Sequence, residues 1–237
     1  VCFCDISTAE IYATSFSGDH MEAKLLNELG TYSPAEVIVN LDTSKLESVA
    51  EFIKTRISAM LNDKQFGRFE YAQCLESVKA QFAQTLREDD IAERSIVCAV
   101  GAMLDYIRDT QKKDLSYINK LNVYSSGQYL ELDVNTRRNL ELTESMRTKE
   151  KKGTLLWVLD KTRSSLGARL LRKWVEHPLI TESAIKRRQG AVEELYNNFM
   201  LREQISDLLD NVLDLERLMT KIVYGSANAR DLRAVAN

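Results

Sequence analysis

One change of hydrophobic period constrains this chain more than any other feature. Up to about residue 116 short β-rich runs alternate with helical stripes, and beyond it helix follows helix. Cys2–Ile6 and Glu10–Phe16 are β-rich and joined by Ser7-Thr8-Ala9, which predicts an antiparallel hairpin with Cys2 and Cys4 on one face. His20–Leu29 sets Met21, Leu25, Leu26 and Leu29 on one helical face, with Gly30 as a left-handed cap. After Pro34, Glu36–Asn40 reads as a third strand. Ser44-Lys-Leu-Glu47 is a capping box, opening a helix with Leu46, Val49, Ile53, Ile57 and Met60 in its stripe. Phe69–Ala72 is expected as a fourth strand. The next helix points Leu75, Val78, Phe82 and Leu86 inward, and Gln73, Glu76, Ser77, Ala80 and Gln84 outward. Ile96–Ile107 is almost continuously apolar, so it is expected buried against the sheet. Residues 1–116 thus read as an α/β domain, a mixed sheet flanked by helices.

Residues 117–237 read as a partial all-α bundle. A hairpin, Leu121–Tyr124 with Tyr129–Asp133 around Ser125-Ser-Gly-Gln128, is expected to open it. Leu155–Leu159 makes a short helix, and Leu166, Leu170, Leu171 and Trp174 stripe a longer one that stops at His177-Pro178, where proline cannot continue the ladder. Further helices start at Thr181 and run through Leu201–Leu209 and Leu213–Val223. Asn228 caps a last one, whose Leu232 and Val235 lack partners downstream. With Val1-Cys2-Phe3 reading as a strand rather than a signal peptide, the chain is expected to be cut from a longer parent.

Several chemistries lack their residues. The nine glycines, at 18, 30, 67, 101, 127, 153, 167, 190 and 225, never cluster as a phosphate-cradling loop requires. Cysteines 2, 4, 74 and 98 have no C-x-x-C spacing, and His20 and His177 are the two histidines, so neither a zinc site nor a His-dependent nucleophile is expected. Asp5 and Glu10 on the first two strands raise a two-metal nuclease, but they flank a turn and nothing ties them to Asp89, Asp90 and Glu93. No apolar run approaches a membrane span. The net charge of −3 hides a division: residues 1–133 hold 13 Lys/Arg against 21 Asp/Glu, residues 134–190 hold 14 against 6, and residues 191–237 hold 5 against 8. The basic middle is either a solvated helix face or a module binding the DNA backbone.

Longer patterns carry a family likeness. Tyr129-Leu-Glu-Leu-Asp-Val-Asn-Thr-Arg-Arg-Asn-Leu-Glu-Leu-Thr143, Gly153-Thr-Leu-Leu-Trp-Val-Leu-Asp-Lys-Thr162, Leu166-Gly-Ala-Arg-Leu-Leu-Arg-Lys-Trp174, Pro178-Leu179, Asp214-Leu-Glu-Arg217 and Ala229-Arg-Asp-Leu232 resemble the start of the core, or lever, domain of the bacterial MutS mismatch-repair family. Asp5-Ile-Ser-Thr, Leu25-Leu-Asn-Glu-Leu29 with Pro34-Ala-Glu, and Tyr106-Ile-Arg-Asp-Thr-Gln111 resemble its connector. The resemblance implies an RNase H-like connector over 1–116 without catalytic acids, followed by a truncated lever over 117–237. It also implies a non-catalytic cytoplasmic coupler between mismatch recognition and the ATPase of a homodimeric parent that acts on mismatched duplex DNA. No cofactor is expected in this segment; ATP and magnesium belong to the parent's ATPase domain. Gln73, Glu76, Ser77 and Ala80 are implied as a surface for MutL. Thr136, Arg137, Arg138 and Asn139 are expected to hold the first core helix to the connector or to later core helices by side-chain hydrogen bonds, Gly167 to admit a neighbouring backbone, and Trp157 and Trp174 to anchor the core. Arg169, Arg172 and Lys173 are open between a solvated face and phosphate contact.

Overall fold

A computed structural model describes residues 1–40, 47–62, 66–112, 115–125, 127 and 129–236. The chain divides into two compact units: Val1–Ser125 with Met219–Ala227, and Ser126–Leu218 with Asn228–Asn237. In the first unit β1 (Cys2–Asp5) and β2 (Glu10–Ala13) form the expected hairpin, with Cys2 opposite Ala13 and Cys4 opposite Ile11. Strand pleating sends this row to one face, where Ile11 and Ala13 join Val78, Phe82, Val100 and Leu104 in a core beneath Cys2 and Cys4. Phe3 points the other way, into a second core with Leu29, Val49 and Ile53. Burial lifts the Cys4 thiol to about 12 and that of Cys2 higher still, so both are inert packing groups.

Helix α1 (Met21–Tyr32) covers the second face, its last residue stacking on Phe3 at 4.0 Å between ring centroids. The left-handed cap expected at Gly30 falls instead on Ser33, at φ 41°. The helix runs on because the Tyr32 ring has the Phe3 ring to cover. β3 (Glu36–Ile38) pairs in parallel with β4 (Met60–Asn62), so Met60 is a strand residue rather than part of a helical stripe. Between them α2 (Glu47–Phe52) passes into a π-turn over Ile53–Ile57, closed by left-handed Ser58 and by Ala59 N–H on Ile53 O at 3.0 Å. Ser44 and Leu46, with the start of the capping box, lie outside the described residues.

The strand expected at Phe69–Ala72 is a 3₁₀ turn (Phe66–Phe69) leading into α3 (Tyr71–Gln81), because the Glu70 carboxylate accepts from Gln73 N–H at 3.0 Å and starts the helix there. The apolar helix α4 (Arg94–Gln111) is buried as expected, at Ile96, Val97, Val100, Ala102, Leu104 and Ile107 among others. β5 (Leu121–Val123) does not fold back on Tyr129–Asp133. It adds in parallel to β2, giving the order β1-β2-β5, because Leu121 is a core residue and Val123 packs on the same core. Tyr129 instead bridges to Leu179.

The second unit is helical: α5 (Val134–Asn139), α6 (Leu155–Leu159), α7 (Ser165–Glu176), α8 (Glu182–Asn197), α9 (Phe199–Asp210), the first turn of α10 (Leu215–Val223), and α11 (Ala229–Ala236). Asp133, Thr154, Ser164 and Asn198 cap α5, α6, α7 and α9 by accepting backbone N–H groups. Among the described residues Leu142, Thr154 and Leu156 are its buried side chains. The expected tryptophan anchors are therefore corrected: Trp157 and Trp174 keep 48% and 39% of their surface exposed. Trp174 meets the Arg188 guanidinium, 3.9 Å above its ring.

Candidate partner surface and helix clamp

The outward face of α3 rests on an unusually close helix pair. A Cβ placed on Gly101 of α4 would lie 2.5 Å from Cys74 Cα, so the bare glycine lets α3 seat directly on α4. The Cys74 thiol fills the remaining gap and donates to Arg68 O at 3.2 Å. Arg108 reaches across from α4, with Nη1 donating to Ser77 Oγ at 2.6 Å and Nη2 to Gln81 Oε1 at 3.0 Å. Gln81 Nε2 in turn donates to Leu115 O and Ile118 O, each at 2.8 Å. Ser77 is thereby corrected from the outward set: it is half-buried and bonded to α4. Gln73, Glu76 and Ala80 stand exposed as expected.

A second cluster ties α7 to the start of α10. Arg169 donates from Nη1 to Asp214 Oδ2 at 2.6 Å, and from Nη2 to Asp214 Oδ1 at 2.9 Å and Glu216 Oε2 at 2.6 Å. Ser165 Oγ and Arg217 N–H also donate to Asp214, at 3.0 and 3.3 Å. The bonds from Arg169 come first among the causes that hold the Asp214 carboxyl at about 2. Arg172 donates from Nε to Glu176 at 3.0 Å and lies 3.7 Å from Glu144. Two of the three cations offered to phosphate thus face carboxylates of this chain, and Lys173 is half-buried.

The other nominated residues are placed more locally. Thr136 N–H is capped by Asp133 Oδ1 at 2.7 Å, Arg137 Nε donates to Leu132 O at 3.0 Å, and Arg138 and Asn139 are exposed. Gly167 admits no neighbouring helix backbone. A Cβ there would meet Ser164 Oγ and Thr162 Cβ at 3.3 Å, both from the turn that caps α7. His177 ends α7 beside the Tyr129 ring, at 5.4 Å; burial, then the Arg137 and Lys173 charges, lowers its pKa to about 4. Asp5 accepts from Ser7, Glu10 from the Tyr12 hydroxyl, and Asp90 from Arg87. The Asp89 side chain lies outside the described residues. Among those described, no three His, Cys, Asp or Glu side chains converge as a metal site, and no helix is long and apolar enough to cross a membrane. Sequence reasoning assigns no role to Gly101, Arg108 or Asp214, whose partners on other helices lie 27 to 49 residues away; the local signal is an acid at Asp214 three residues before Arg217, the spacing at which a side chain caps a helix.

Comparison with known proteins covers both units. Residues 1–119 match MutS domain II and residues 135–237 match MutS domain III. The DNA mismatch repair protein MutS of Ruminiclostridium cellulolyticum is 47% identical over 98% of this chain and 27% of its own length. That of Acetivibrio thermocellus is 42% identical over 98% of this chain and 26% of its own, and that of Clostridium novyi 39% over 100% and 25%. The chain spans about a quarter of the length of these curated relatives.

Proposed function

This chain belongs to the MutS family of DNA mismatch repair proteins, as its domains II and III, and from that premise we propose that it is a non-catalytic coupler. In this reading residues 1–116 are the connector and residues 117–237 the first part of the lever. They pass conformational change between a mismatch reader and an ATPase that lie elsewhere in a homodimeric, cytoplasmic parent. ATP and magnesium act at that ATPase, and mismatched duplex DNA is bound by the parent. Relays of this kind need bodies that move without deforming. The observation that carries the proposal is the α3–α4 pair, sealed at Gly101–Cys74 and cross-bonded by Arg108, which presents Gln73, Glu76 and Ala80 on a rigid support.

That face is the proposed docking surface for MutL, with Ser77 acting from beneath through Arg108. The test is capture of MutL by the full-length protein on mismatched duplex in the presence of ATP, with Glu76→Arg and Ala80→Trp combined. Both side chains are exposed, so folding should be preserved. Capture is expected to weaken at least about tenfold, the equivalent of ~1.4 kcal/mol. Unchanged capture would remove this surface from the account. The second reading, DNA-backbone binding through residues 134–190, loses ground because Arg169 and Arg172 already face carboxylates.

A further inference from the structure

Helix α10 is shared by the two units: Leu215–Leu218 belong to the helical one and Met219–Val223 to the α/β one. Each part has its own anchor. At the start Asp214, held by Arg169, accepts Arg217 N–H on its side chain and Leu218 N–H on its backbone carbonyl, at 3.3 and 2.9 Å. At the far end Thr220 is buried, and the Tyr117 hydroxyl donates to the Tyr224 hydroxyl at 2.7 Å with the two rings 5.3 Å apart. Tyr117 packs on the main core of the α/β unit, next in sequence to the buried residues Leu115 and Ile118. Burial and the bond to Tyr224 both favour its protonated phenol, which keeps the donor in place. Left-handed Gly225, at φ 67°, lets Ser226 and Ala227 N–H turn back onto Lys221 O, so the helix is closed rather than frayed.

We propose that α10 is a strut with two clamps, Arg169 on Asp214 at one end and Tyr117 on Tyr224 at the other, so that loosening one clamp is felt at the other along a continuous helix. Each clamp lies wholly inside one unit, and the helix backbone is the link. This deepens the coupler reading and rests on it. A hydrogen-bonded helix carries such a signal because its residues are ordered cooperatively, and a break in the ladder ends that cooperation.

Amide hydrogen exchange of the full chain, read residue by residue, tests the strut. Tyr224→Phe removes one hydroxyl and leaves the ring. It should speed exchange about five- to tenfold at Ile222–Tyr224, and severalfold at Arg217 and Leu218, whose amides report the Asp214 clamp. Tyr117→Phe should reproduce both changes. Inserting Gly-Gly between Leu218 and Met219 in the Tyr224→Phe background should confine the added exchange to the far end. If Arg217 and Leu218 do not respond to either phenylalanine variant while Ile222–Tyr224 do, the strut is refuted; if neither end responds, the tyrosine pair is no clamp and the proposal also falls. The readout contains no MutL, DNA or nucleotide, so its failure is separate from failure of the docking surface.

Discussion

Gly101 shows how a single missing methyl group can decide a packing geometry. A side chain there would overlap the Cα of Cys74, and an α-carbon cannot swing aside as a side-chain tip can. Gly101→Ala is therefore expected to force α3 and α4 apart and to destabilise the α/β unit by roughly 1–3 kcal/mol, as overpacked cores generally do. A thermal melt checks this; an unchanged midpoint would mean that the close approach is not sustained in solution. His177 makes a prediction about pH. Its pKa falls from an ordinary 6.5 to about 4 on folding, so between these values the unfolded chain binds more protons. Stability contributed by the neutral imidazole is full above about pH 6.5 and is lost as pH drops toward 4. Glu176, whose burial raises its pKa, titrates in the opposite sense nearby. The sharp comparison is thus between wild type and His177→Gln. The variant's melting midpoint should fall less from pH 7 to pH 4.5, and parallel slopes would contradict the assignment.

At the scale of elements, the Arg169 clamp is where charge rather than apolar burial joins two helices. Both partners are shielded, with 28% and 19% of their side-chain surface exposed, and the guanidinium binds both carboxylate oxygens. Arg169→Leu should cost about 1–2 kcal/mol in a chemical denaturation experiment, and Arg169→Lys should recover little, since an ammonium cannot reproduce the paired geometry. Full recovery by lysine would reduce the clamp to simple charge attraction. The β1–β2 hairpin and α4 were legible in sequence because alternation and a long apolar run each have one cheap solution. The sequence predicts a strand at Phe69–Ala72 because its apolar and aromatic residues suit a pleated surface, while the Glu70 cap that makes the segment a helix start is a local polar signal. β5 joins a different edge from the one expected because a three-residue run says nothing about its partner; Leu121 pairs with Ile11, more than 100 residues back along the chain. The tryptophans were misplaced for a different reason. Large rings fix burial only when enough neighbouring surface exists to cover them, and in the helical unit Tyr196 and Met200 are exposed as well.

At the scale of the molecule, a basic middle segment beside an acidic first half suggests electrostatic DNA binding, yet Lys151, Arg163, Arg169, Arg172 and Lys186 of that segment pair with the chain's own acids. Weak duplex binding that ignores mismatches and collapses between low and physiological salt is expected of the isolated chain; submicromolar, mismatch-dependent affinity at physiological salt would contradict this. The outward face of α3 is nominated only through family resemblance, whereas its close-packed, cross-bonded backing is visible only in the folded arrangement. The whole account depends on this chain transmitting conformational change without transforming a substrate. The direct measurement is steady-state ATP turnover by the full-length protein, with and without mismatched duplex, for wild type and for Arg169→Leu combined with Tyr224→Phe. Coupling through these units predicts that turnover without DNA and affinity for the mismatch persist, while the ratio of stimulated to unstimulated turnover falls toward one; a ratio equal to wild type would contradict the coupling role.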